Sequence, residues 1–128
     1  METNLPTVRA EVTFLSERDG GRRTLPTLTP EYRPHIVVQS ADVRTAIVDD
    51  DRSGREQYLG IEFVAAAGPL RTNEAVQVWL GLIYHPRVDY SELRAGAAFT
   101  IREGGRIVGH GTVIASAEDG NAGDDQSA

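Results

Sequence analysis

Ala98-Phe99-Thr100-Ile101-Arg102-Glu103-Gly104-Gly105-Arg106-Ile107-Val108-Gly109-His110-Gly111-Thr112-Val113 reads as two strands joined by a Glu-Gly-Gly turn. A tight hairpin needs positive φ at its central residues, and glycine supplies that conformation without a steric penalty. Gly109 and Gly111 lie two apart on the second strand and so share one face. Side-chain-free positions in a strand permit tight barrel curvature or close approach by another backbone. The stretch therefore predicts a closing hairpin of a β-barrel, not a ligand loop.

Outward from this hairpin the same period of two recurs. Val12 and Phe14 alternate with Glu11 and Thr13; Leu59, Ile61 and Phe63 alternate with Tyr58, Gly60 and Glu62. Val76, Val78, Leu80 and Leu82 alternate with Gln77, Trp79, Gly81 and Ile83. Each run offers one face to a core. Ile36-Val37-Val38 and Ala46-Ile47-Val48 are shorter runs of the same kind, bounded like the others by Gly, Pro, Asn and Asp. The expected fold class is all-β, a six- or seven-stranded antiparallel β-barrel.

The 128 residues suffice for one domain with its own core. The barrel is expected over residues 9–115, between a weakly patterned, disordered arm (1–8) and a disordered acidic tail (116–128) in which no apolar residue exceeds alanine. Cysteine is absent, which removes disulfides, zinc-thiolate sites and thiol nucleophiles together. No leader pattern and no run of eighteen apolar residues occurs, so a soluble, cytoplasmic protein is expected, with no membrane partner.

The formal charge is −6, which opposes a nucleic-acid partner. Five of the 19 acidic residues, however, lie in the end segments, leaving 14 acids against 13 arginines between Arg9 and Ala115. The body is close to neutral. Every basic residue is arginine, which favours planar bidentate contacts with carboxylate or phosphate, although a codon bias towards arginine is the preferred explanation of the composition.

The closing hairpin resembles the last hairpin of the third domain of bacterial elongation factor Tu, the translation GTPase that carries aminoacyl-tRNA. Three further segments match in the right order: the strand Glu11–Ser16 with the Gly20-Gly21-Arg22-Arg23-Thr24 turn, the Tyr32-Arg33-Pro34 entry, and Leu82-Ile83-Tyr84-His85-Pro86, similar to an L-I-H-P segment with one residue inserted. The resemblance covers that barrel alone. No phosphate-binding G-x-x-x-x-G-K-[ST] loop is present in this lysine-free chain, so neither GTP binding nor any cofactor is carried over.

What the resemblance implies about sites follows residue by residue. The relative's third domain touches the T-stem of tRNA, and its contact positions fall on Arg22, His85, Glu103 and Gly104, retained in type. His35 stands where the relative has glutamine and Arg44 where it has threonine. Arg22 would take phosphate, while Glu103 and a backbone group would meet ribose hydroxyls. The competing reading is that these are turn positions of the barrel, with Arg22 and Arg106 paired to Glu103 or Asp19 as surface salt bridges of little energy. Tyr32, Arg33 and Pro34 mark the side through which the relative's barrel packs on neighbouring domains, and here they would face solvent, pack on residues 44–74, or bind a separate protein.

Two functional expectations result. The first is a non-catalytic binding module in a translation-related context, engaging a protein partner or, second, a structured RNA such as tRNA; one form of it mimics the factor and competes for its partners. The second is an immunity or regulatory protein whose specificity lies in the enlarged 44–74 region. The Asp49-Asp50-Asp51 run in that region lacks the alternation of a calcium loop and has Gly60 where the bidentate glutamate belongs. A third class, catalysis, has only His35, His85, His110 and Ser16, Ser40, Ser53, Ser91 to draw on, with no recognisable spacing among them. No enzyme and no metal site are expected.

Overall fold

The computed structural model describes residues 5–29, 31–40 and 57–116. The strand candidate Ala46-Ile47-Val48, the Asp49–Glu56 loop, Arg44 and the acidic segment from residue 117 lie outside the described residues. Six strands are described: β1 (Thr7–Phe14), β2 (His35–Val38), β3 (Leu59–Ala66), β4 (Val76–Leu82), β5 (Ala98–Glu103) and β6 (Arg106–Ala115). β1 begins two residues before the expected start of the barrel, and Val8 is already buried. A single 3-10 turn, Glu17–Asp19, follows β1, its open end capped by the Ser16 hydroxyl.

The strands close in the order β1-β4-β3-β2-β5-β6, every neighbouring pair antiparallel. Closure leaves no free sheet edge among the described strands, which removes the hydrogen-bonding template that an open edge presents. Alternation places Val12, Phe14, Leu59, Ile61, Phe63, Val78, Leu80, Phe99 and Ile101 in one core, all buried, as the period-two runs predict.

Register defines two ends. At one end Thr7 pairs with Gly81, Arg9 with Ala115 and Ala98 with Thr112. At the other, Glu103 pairs with Arg106 and Phe14 with Gly109. The latter is the hairpin end. In the turn there, Gly104 takes the left-handed conformation, φ 61°.

Gly109 and Gly111 face the core, and both crowd it from the outer wall. A Cβ at Gly109 would stand 2.6 Å from the Thr13 carbonyl oxygen; one at Gly111 would stand 2.5 Å from the Phe99 ring and 2.7 Å from the Glu11 carbonyl. The β6 strand can therefore close on β1 only without side chains at these positions. Between them and the turn, the register with β5 slips by one residue past Ile101, which increases local twist and lets Val108 also point inward.

Gly21 is the tightest position. A Cβ there would lie 1.9 Å from the Leu15 carbonyl oxygen, a backbone atom that no rotamer change can move. Gly21→Ala should therefore destabilise the fold by about 3 kcal/mol in urea unfolding, because relief requires the 16–22 loop to leave β1. A cost within about 0.5 kcal/mol would show that this loop is not fixed as described.

Candidate functional site

The hairpin end carries most of the residues that sequence reasoning selected. After β1, Asp19, Gly20 and Gly21 turn back through amide bonds to Ser16 and Glu17, with Gly20 at φ 100°. This turn delivers Arg22 beside the closing hairpin. Arg22 Nη1 donates to Glu103 Oε2 at 2.8 Å, and its Nε donates to the Thr24 carbonyl at 3.1 Å. Two of its three nitrogens are thus used within the chain.

Tyr32 completes the contact. Its hydroxyl donates to the same Glu103 oxygen at 2.5 Å, and the Arg22 guanidinium lies 5.5 Å from its ring centroid. The ring itself stacks on Phe63 at 5.6 Å and tilts against Phe14 at 6.4 Å, so that it plugs the barrel mouth. Burial, reinforced by the hydrogen bond to Glu103, pushes the Tyr32 phenol well above its ordinary value. The group stays protonated and remains a donor. Arg106 secures the other side of the turn, donating from Nε to the Gly20 carbonyl at 3.1 Å and from Nη2 to the Gly21 carbonyl.

The remaining sequence-selected residues separate. His35, first in β2, pairs with Arg102 and Gly60, and its ring meets the Tyr58 ring edge-on at 5.8 Å. It lies one step from Glu103 along the ladder but on the opposite face, because successive side chains alternate. Gly104 is exposed at the turn tip. His85 is exposed beyond β4, at the end of the barrel away from Glu103. Arg44 lies outside the described residues.

Of the partner-binding trio, Tyr32 is half-buried and packs on Phe63 within the 44–74 region, as one of the three expectations had it. Pro34 is buried and its carbonyl accepts from the Ile61 amide at 3.2 Å. Arg33 is the exposed member. The three histidines are not brought together: His110 pairs with Thr13 and Thr100, remote along the ladder from His85. Among the described residues no group of three or more histidines and acids is placed to hold a metal ion.

Sequence reasoning missed one cluster. Thr100 and Arg102 occupy the face that alternation assigns to solvent, yet both are fully buried. Arg102 donates to Thr100 Oγ1 (3.0 Å), to the Tyr58 hydroxyl (2.6 Å) and to Gln39 Oε1 (2.5 Å), with the Tyr58 ring 5.2 Å from its guanidinium carbon. The donors a buried guanidinium must satisfy are met by residues from two other segments. No local signal announces it, since Gln39 and Tyr58 are polar residues at the ends of other strands.

A small closed antiparallel barrel, with a glycine-led hairpin locked to the turn after its first strand, is the domain class these features define. The elongation factor Tu C-terminal domain model matches residues 3–116, and the chain belongs to that family. No helix among the described residues is long and apolar enough to cross a membrane.

The Tyr32 phenol gives a pH-dependent prediction. Its pKa is raised by folding, so its contribution to stability is complete below the ordinary tyrosine value near 10 and is lost as pH rises beyond it. Tyr32→Phe should lower stability by about 1–2 kcal/mol at neutral pH, through loss of a bond to a charged acceptor. Thermal melts from neutral pH to above 10 should then show the variant losing less stability with alkali than the wild type. Identical alkaline slopes would contradict the Tyr32–Glu103 bond.

Proposed function

We propose that this chain is a non-catalytic binding module in a translation-factor context and that its partner is a protein. One observation carries the preference for protein over RNA. Glu103, which the family resemblance would aim at ribose, accepts from both Arg22 and Tyr32 on a single oxygen. Arg22, which would take phosphate, spends two nitrogens on Glu103 and Thr24. His85, a third contact, stands at the far end of the barrel, and His35 faces away from Glu103. RNA affinity scales with the number of phosphates met by free cations, and this set supplies few.

Support for a protein partner comes from what is exposed near the plug: Arg33, next to Tyr32 in sequence, and Gly104 and Gly105 at the turn tip. An end of this kind presents backbone and exposed guanidinium groups, Arg23 and Arg33 among them, to a neighbouring surface. The immunity or regulatory reading, centred on residues 44–74, has a narrower basis: within that region β3 supplies the core and the plug's stacking partner Phe63, which ties it to the fold.

Fluorescence anisotropy of labelled aminoacyl-tRNA tests the preference. No saturable binding is expected at physiological salt, and any binding at low salt should be the same for wild type and Arg22→Ala. Binding at physiological salt that Arg22→Ala abolishes would establish an RNA partner instead. For an isolated protein partner, affinity should survive Arg22→Ala and fall with Arg33→Glu; loss only on shortening Asp50 to Arg55 would favour the regulatory reading.

A further inference from the structure

At the end of the barrel away from the hairpin, residues 83–97 arch over the mouth and leave a cleft of about 490 Å³. Its floor is apolar and buried: Val8, Leu82, Tyr90 and Leu93. The arch is held in place at several points. The Tyr90 hydroxyl donates to the Gly60 carbonyl at 2.6 Å and accepts from the Tyr84 amide at 3.1 Å. The Tyr84 ring seats over Gly60, where a Cβ would fall 2.3 Å from it. Farther along, the Leu93 amide bonds the Tyr90 carbonyl, and Gly96 and Ala97 join Val113 through paired backbone bonds. The cleft is therefore preformed, which lowers the ordering cost of filling it.

His85, Asp89, Ser91, Arg94 and Ser116 are the polar residues around it, and three of them carry ionisable side chains. Arg94 uses Nε on the Ser91 carbonyl at 3.3 Å, and its two terminal nitrogens have no partner among the described residues. His85 is exposed, with an imidazole that likewise has no hydrogen-bond partner among the described residues. Asp89 accepts from the Ser91 amide at 2.9 Å; that bond holds its carboxyl below the ordinary value and keeps it an anionic acceptor. An apolar floor with donors and an acceptor on its rim suits a ligand that offers an acid, an apolar group and a hydrogen-bond donor together. A fatty acid offers Asp89 no donor beyond the Ser91 amide that it already has.

We propose that this cleft binds the C-terminal end of a partner polypeptide whose last residue is aliphatic. The terminal carboxylate meets Arg94 and His85, the aliphatic side chain lies on Val8, Leu82 and Leu93, and a peptide N–H donates to Asp89. Planar guanidinium and carboxylate groups match in a two-bond fork, and a polypeptide end supplies the acid, the apolar group and the N–H together. The inference rests on the protein-partner reading and gives that partner a recognisable feature.

The test uses the full chain and a fluorescein-labelled peptide ending in Ala-Ala-Leu, as free acid and as carboxamide, read by anisotropy. The acid should bind saturably, with the amide and Arg94→Gln each weaker by roughly tenfold or more, as expected for a lost charged bond. Arg94 is exposed, so this variant keeps the fold; a matching thermal melt checks that. Amide-proton shift changes should centre on residues 84–96. Equal affinity for acid and amide, an unaffected Arg94→Gln, or no saturation overturns the proposal. If peptide binding fails while a purified protein partner still binds independently of Arg22, the cleft assignment alone falls; if tRNA binds through Arg22, the partner reading falls with it.

Discussion

Glu103 holds the hairpin end together. Its carboxylate accepts from Arg22 and Tyr32, residues 81 and 71 positions away in sequence, and so joins the last hairpin to the turn and loop that follow the first strand. A barrel closed by β6 on β1 still has a mouth that must be filled, and here the filling is an aromatic ring, Tyr32, whose polar tip needs an acceptor when it is half-buried. Glu103 meets that need. With side-chain exposure of 31% on each partner, the Arg22–Glu103 pair is neither desolvated enough to cost much nor screened enough to be negligible. Its geometry is also anchored from the other side, because Arg106 bonds the carbonyls of Gly20 and Gly21.

This arrangement explains the residues on which the family resemblance rests without assigning them a ligand. Glu103 meets the arginine of the first turn and the tyrosine of the following loop, and the second arginine of the last hairpin bonds the glycine carbonyls of that first turn. A chain that keeps the fold has a reason to keep this set whether or not it keeps an RNA partner, and shared fold alone does not transfer function.

The strands were legible in the sequence because barrel cores enforce a period of two. Every run read as a strand that falls among the described residues is one, and Gly109 and Gly111 stand where the β1 backbone comes close, one of the two roles that the sequence allows them. The hairpin-end contacts were half legible. The competing reading of surface bridges holds for Arg22 with Glu103 but not for Arg106, which bonds the Gly20 and Gly21 carbonyls instead of an acid; Tyr32 as the third member is not legible, because a loop residue's position depends on how the turn before it folds. Arg102 was not legible at all. Its place on a strand assigns it to the outer face, and its burial comes from Gln39 and Tyr58, which no local pattern links to it.

A double-mutant cycle on Arg22→Ala and Glu103→Gln, followed by urea unfolding, tests the central claim that these residues serve each other. The contact described predicts a coupling energy of about 1 kcal/mol, the two single changes together overstating the cost of the double change. Additivity within about 0.3 kcal/mol would mean that the two side chains do not interact in solution, and would return both to the list of groups free to meet RNA.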